Sequence, residues 1–93
     1  MPAAPDFDLD RAWDLHPQVS VRPEPFGALL YHFGTRRLSF LKDRRLLAVV
    51  KGLGAAPTAR AACAGAGIGA EDMAAYERAL ARLAETDMLR ARP

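Results

Sequence analysis

The hydrophobic period of this chain changes once, near residue 43, and that change limits the folds open to it. Before it, apolar residues alternate. Val19 and Val21 are interleaved with Ser20 and Arg22, and Pro23-Glu24-Pro25 reads as the turn that ends this strand. Leu29 to Phe33, bounded by Gly27 and Gly34, reads as a second strand, and Arg37 to Leu41, with Leu38 and Phe40 on one face, as a third. Beyond residue 43 the period is helical. Leu46, Val49, Val50 and Leu53 fall at i, i+3, i+4 and i+7, with Gly52 and Gly54 available to end the helix. Thr58 is placed to cap a short second helix through Cys63, which Gly65, Gly67 and Gly69 then break. A third helix is expected from near Ala70 to about Thr86, with Glu71 and Asp72 in its first turn and Met73, Tyr76, Leu80 and Leu83 on one stripe. Three strands followed by three helices predict an α+β domain with the helices on one face of a small antiparallel sheet.

A chain of 93 residues holds one such domain. Folding at this size buries only about 60% of the extended chain's surface, so function is expected on an exterior surface or shallow groove. Residues 1–16, with Pro2, Pro5 and four aspartates, read as an acidic arm that Trp13 anchors; residues 17–89 read as the domain and 90–93 as a tail. The formal charge of +2 conceals an asymmetry. The arm sets four aspartates against Arg11, residues 17–60 set eight cations against Glu24 and Asp43, and residues 61–93 set four arginines against five carboxylates. The aspartate-rich start is unlike a signal peptide, and Leu46 to Val50, the longest strongly apolar run, is too short to span a bilayer. Together with a single cysteine, Cys63, these features predict a soluble cytoplasmic protein with no membrane partner.

Enzymatic and metal chemistry find little footing. His16 and His32 stand apart with no ligand at metal-binding spacing, so structural roles are expected for both. Cys63 lacks a local base and reads as a small buried hydrophobe. Gly65-Ala66-Gly67-Ile68-Gly69 follows a helix and lacks the Lys-Ser/Thr of a phosphate loop. Strands with a helix-turn-helix composition also suit a winged-helix nucleic-acid-binding domain, but residues 71–87 hold five carboxylates and two arginines, a poor match for phosphates. A peptide added as an extra strand fits better. The third strand, at the sheet edge, leaves N–H and C=O groups free, and Arg36 and Arg37 flank it as gatekeepers against aggregation or attractors of an acidic peptide. Of Leu38 and Ser39, Ser39 is the residue expected to turn its N–H to such a peptide.

The run His16-Pro17-Gln18-Val19-Ser20-Val21-Arg22-Pro23-Glu24-Pro25-Phe26-Gly27-Ala28-Leu29-Leu30-Tyr31-His32-Phe33-Gly34-Thr35-Arg36-Arg37-Leu38-Ser39-Phe40-Leu41 resembles the mycofactocin biosynthesis chaperones, above all in Arg-Pro-Glu-Pro-Phe-Gly-Ala-Leu. The likeness extends more loosely to Met88-Leu89. It implies a winged-helix-like fold of the PqqD type, a peptide-recognition domain without catalysis or cofactor of its own. It further implies two partners: the leader of a ribosomally made precursor peptide, and a radical S-adenosylmethionine maturase that carries the iron–sulfur clusters. Carried onto this chain, the peptide groove consists of Arg36, Arg37, Leu38, Ser39, Phe40 and Leu41, faced by Tyr76, Leu80 and Leu83.

Overall fold

The computed structural model describes residues 7–92. Its centre is an antiparallel sheet in the order β2 (Val19–Glu24), β3 (Gly27–His32), β4 (Leu38–Leu41). Three helices follow, α1 (Arg44–Gly52), α2 (Ala59–Gly65) and α3 (Met73–Glu85), with a single 3-10 turn at Leu53–Ala55 between the first two. The expected α+β class and the order of strands before helices agree with this architecture.

Local chemistry sets the ends of these elements. Strand β2 runs through Pro23 to Glu24, so the turn is the two-residue Pro25-Phe26, not the expected Pro23-Glu24-Pro25. A proline is tolerated there because β2 is an edge strand. Gly27 closes the turn at φ 151°, and a Cβ on it would lie 2.0 Å from the Leu41 carbonyl oxygen, so only glycine fits. Asp43 caps α1 by accepting from the Arg45 N–H at 2.8 Å, and Thr58 caps α2 by accepting from the Ala61 N–H at 3.1 Å. Helix α3 begins at Met73, later than Ala70, and ends in a Schellman turn. There the Met88 N–H donates to Leu83 and the Asp87 N–H to Ala84, with Asp87 itself at φ 64°.

The ends of the chain depart most from expectation. Trp13–Leu15 forms β1 and pairs antiparallel with β5 (Leu89–Ala91), in the register Trp13↔Ala91 and Leu15↔Leu89. The described part of the supposed arm is therefore built into the fold: Leu9 and Trp13 are buried, and the Arg11 and Leu9 carbonyls accept from the Ala59 and Arg60 N–H groups. The described part of the supposed tail is held as well. The Arg92 guanidinium donates to the carbonyls of Leu53, Ala56 and Trp13, and its Nε lies 3.3 Å from Asp14. Residues 1–6 of the expected arm lie outside the described residues.

One core joins both sheets to the helices, with Leu30 and Leu41 from the sheet meeting Val49, Leu53, Leu80, Met88, Leu89 and Trp13. Cys63 is fully buried in it, and burial pushes its thiol above the ordinary range, consistent with the expected apolar role. No described helix is long and apolar enough to cross a membrane.

Candidate functional site

Among the described residues, strand β4 is hydrogen-bonded on one side only, to β3. The hairpin that leads into it contains a bulge: His32 donates its N–H to Arg37 at 2.9 Å and accepts at its carbonyl from the Arg36 N–H at 2.8 Å. Two residues thus oppose one, and Arg36 takes the left-handed position, φ 64°, that glycine normally fills. Bonded and non-bonded pairs alternate along an antiparallel ladder. With His32 and Arg37 bonded, the pairs Leu30↔Ser39 and Ala28↔Leu41 are bonded as well, whereas Tyr31↔Leu38 and Leu29↔Phe40 are not. The free edge therefore belongs to the backbone of Leu38 and Phe40. This corrects the expectation for Ser39, whose N–H is committed to β3.

A cleft of about 280 Å³ lies between this strand and α3. Ser39, Phe40 and Leu41 form one wall, Ala79, Arg82, Leu83 and Thr86 the other, with Leu46 at the base. A hollow of about 270 Å³ adjoins it, sharing Leu46 and Ala79 and adding Lys42, Asp43, Ala75 and Tyr76. Of the residues expected to hold a peptide, Ser39, Phe40, Leu41, Tyr76 and Leu83 are brought together here. Leu80 is not; it is fully buried and supports the helix from within the core. Arg36, Arg37 and Leu38 stand exposed at the mouth of the hairpin, outside the cleft.

Leu46, Ala79, Arg82 and Thr86 were not legible as site residues. Ala79 does lie on the Tyr76–Leu83 stripe, and its small side chain is what leaves room between strand and helix. Arg82 was hidden by the acidic balance of residues 71–87, although it is the one cation that α3 gives to the cleft.

Asp43 and Tyr76 fasten β4, α1 and α3 to one another. The Tyr76 hydroxyl donates to Asp43 Oδ2, and the Arg45 guanidinium lies 5.6 Å from the centre of the Tyr76 ring. The Tyr76 hydrogen bond, followed by backbone donation from Arg45, holds the Asp43 carboxyl below its ordinary value against the opposing effect of burial. Desolvation, then the neighbouring carboxylate, pushes the Tyr76 phenol up. With the Asp43 charge engaged in this way, Lys42 and Arg82 give the lining a positive character.

A second constellation joins residues that the sequence keeps far apart. The rings of His16 and His32 lie 4.4 Å apart, and their Nε2 atoms face Asp87 at 3.8 and 3.4 Å. Three ligand-type atoms lie within 4.8 Å of one another, as a metal site needs. The other ring nitrogens argue against one. Nδ1 of His32 accepts from the Gly34 and Thr35 N–H groups, and Nδ1 of His16 from the Gln18 N–H. Those donors fix the ring proton on Nε2, whereas a metal at Nε2 requires it on Nδ1. The trio brings the hairpin against the end of α3, with His32 Nε2 buried and without a hydrogen-bond partner among the described residues.

Comparison with known proteins agrees with this frame. The sequence pattern of the Peptide chaperone MftB family matches residues 12–90. The chain is 62% identical to the peptide chaperone MftB of Mycobacterium tuberculosis over 84 residues, 90% of this chain and 77% of the relative. It is 60% identical to that of Mycobacterium ulcerans over 83 residues, 89% of this chain and 76% of the relative. For Mycolicibacterium smegmatis the figures are 55% over 83 residues, 89% and 81%. No solved structure matches the chain. Relatives named as peptide chaperones agree with the expectation of a non-catalytic protein, and on the extent of this match the chain belongs to the Peptide chaperone MftB family.

Proposed function

We propose that the protein binds the leader of a ribosomally made precursor peptide as an added strand on β4 and presents it to a radical S-adenosylmethionine maturase. The observation that carries this reading is the open edge of β4 at Leu38 and Phe40, set across an apolar cleft from α3. A peptide lying there gains backbone hydrogen bonds from the strand and side-chain burial against Leu46, Ala79 and Leu83. Lys42 and Arg82 along the cleft, with Arg36 and Arg37 in the turn that leads into β4, favour a leader with carboxylates. Family membership supports the chaperone role. The radical chemistry belongs to the maturase, and this chain supplies binding and orientation.

The test is a calorimetric titration with the cognate leader, run beside a DNA duplex at physiological salt. Saturable one-to-one binding of the leader with only weak, salt-sensitive binding of DNA is expected. Sequence-selective DNA binding without leader binding would replace this reading with the winged-helix one.

A further inference from the structure

The helices cover one face of the three-stranded sheet, and no described element covers the other. The exposed large hydrophobic residues of the described chain all gather on it: Phe26 (46% exposed), Phe33 (60%), Leu38 (53%) and Phe40 (61%). The register explains why. Leu29 opposes Phe40 and Tyr31 opposes Leu38, so these four side chains share the outward face, and Phe33 extends it by one more step of alternation. The rings also pack together. Tyr31 meets Phe33 edge-on at 4.9 Å, and Phe26 meets Phe40 at 6.2 Å. An apolar patch on this scale marks an interaction site.

Cations stand around the patch. Arg36 and Arg37 occupy the β3–β4 turn at one end, and Lys42 and Arg44 lie at the other, where Arg44 donates to the Pro25 carbonyl. Arg22 lies opposite Leu29 on β2 and pairs with Glu24 at 3.0 Å. A second copy of the chain laid face to face would bring these cations against their own equivalents, which disfavours self-association. Single-stranded nucleic acid is disfavoured for a different reason. Rings packed edge-on and tilted against one another do not offer the open faces on which successive bases stack, and Glu24 meets the phosphates.

We infer that this outer sheet face docks a folded protein whose apolar patch is rimmed by carboxylates, and that its occupant is the maturase. The inference rests on the chaperone reading. Phe40 belongs to both the face and the cleft, so an enzyme seated here would lie directly beside a leader paired to β4.

The test uses Phe26→Ser with Phe33→Ser, two exposed positions outside β4, measured against the parent for melting, leader affinity and affinity for the purified cognate maturase. Maturase affinity is expected to fall by about tenfold or more, with the leader bound within about threefold of the parent. A second variant, Arg22→Glu, is expected to slow maturase association at low salt. Unchanged maturase affinity in both variants overturns the inference. So does a parent that sediments as a dimer which the double variant breaks, or one that binds an oligothymidine through this face at physiological salt. If the parent binds the leader but not the maturase, this inference falls together with the presentation step, and leader binding at β4 stands. If it binds neither, the chaperone reading falls with it.

Discussion

Arg36 occupies a backbone position that normally belongs to glycine. A side chain at φ 64° in a bulge costs about 1 kcal/mol relative to glycine, so retaining one there is a stability sacrifice whose return is sought in binding. Arg36→Gly is expected to stabilise the fold by about 0.5–1 kcal/mol in urea denaturation and to slow association with an acidic leader at low salt. A variant that is less stable than the parent and associates just as fast would show the arginine to be neither strained nor attractive. The Tyr76–Asp43 bond makes a prediction in pH. Asp43 titrates below its ordinary 3.8, so its contribution is present above that value and is lost as pH falls through the depressed folded value. Tyr76 titrates above its ordinary 10.0, so its contribution is present below 10.0 and is lost as pH rises through the elevated folded value. Tyr76→Phe is expected to cost about 1 kcal/mol at neutral pH and to flatten the stability profile at both extremes. A profile parallel to the parent's from acid to alkali would show that the bond is not linked to stability.

Among the elements, period and punctuation made most of the fold readable, because Val19/Val21 and Leu38/Phe40 alternate while Leu46 to Leu53 keeps a helical stripe. What period cannot give is the phase of the hydrogen-bond ladder. That phase is set by the bulge at Arg36, and nothing in the local sequence announces a bulge whose left-handed residue is an arginine. Without it, Ser39 reads as the peptide-facing residue; with it, Leu38 and Phe40 do. Ser39→Pro should therefore remove a bond to β3 and lower the melting temperature sharply, whereas Leu38→Pro should stay folded and bind the leader up to about tenfold more weakly, the worth of one hydrogen bond. Both variants folded and binding like the parent would mean that no peptide pairs with this edge. The cleft was legible to the same partial degree. The stripe on α3 named Tyr76 and Leu83, but it could not tell that Leu80, on the same stripe, turns into the core.

At the scale of the whole molecule, the two ends of the chain close the domain, and no short-range pattern could have disclosed it. Trp13–Leu15 and Leu89–Ala91 are each only three residues long, and each acquires strand geometry only by meeting the other. The aspartates around Trp13 made the segment look solvated, yet they act as anchors: Asp10 binds Arg60 at 2.8 Å and Asp14 pairs with Arg92. Trp13 itself has no exposed surface and donates its indole N–H to the Asp8 backbone carbonyl at 2.9 Å. A buried tryptophan cut to alanine typically costs about 3–5 kcal/mol, against a total of about 5–15 kcal/mol for a domain. Trp13→Ala should therefore remove a large share of the stability of this chain, and the loss should appear as one cooperative transition because β1, β5 and the helices share a core. None of the residues lining the β4–α3 cleft belongs to this closure, so whatever fraction stays folded should bind the leader with the affinity of the parent. Urea denaturation with and without saturating leader checks both halves. A free arm would instead give a loss below about 1 kcal/mol, and an arm that forms part of the peptide site would lower affinity in the folded fraction.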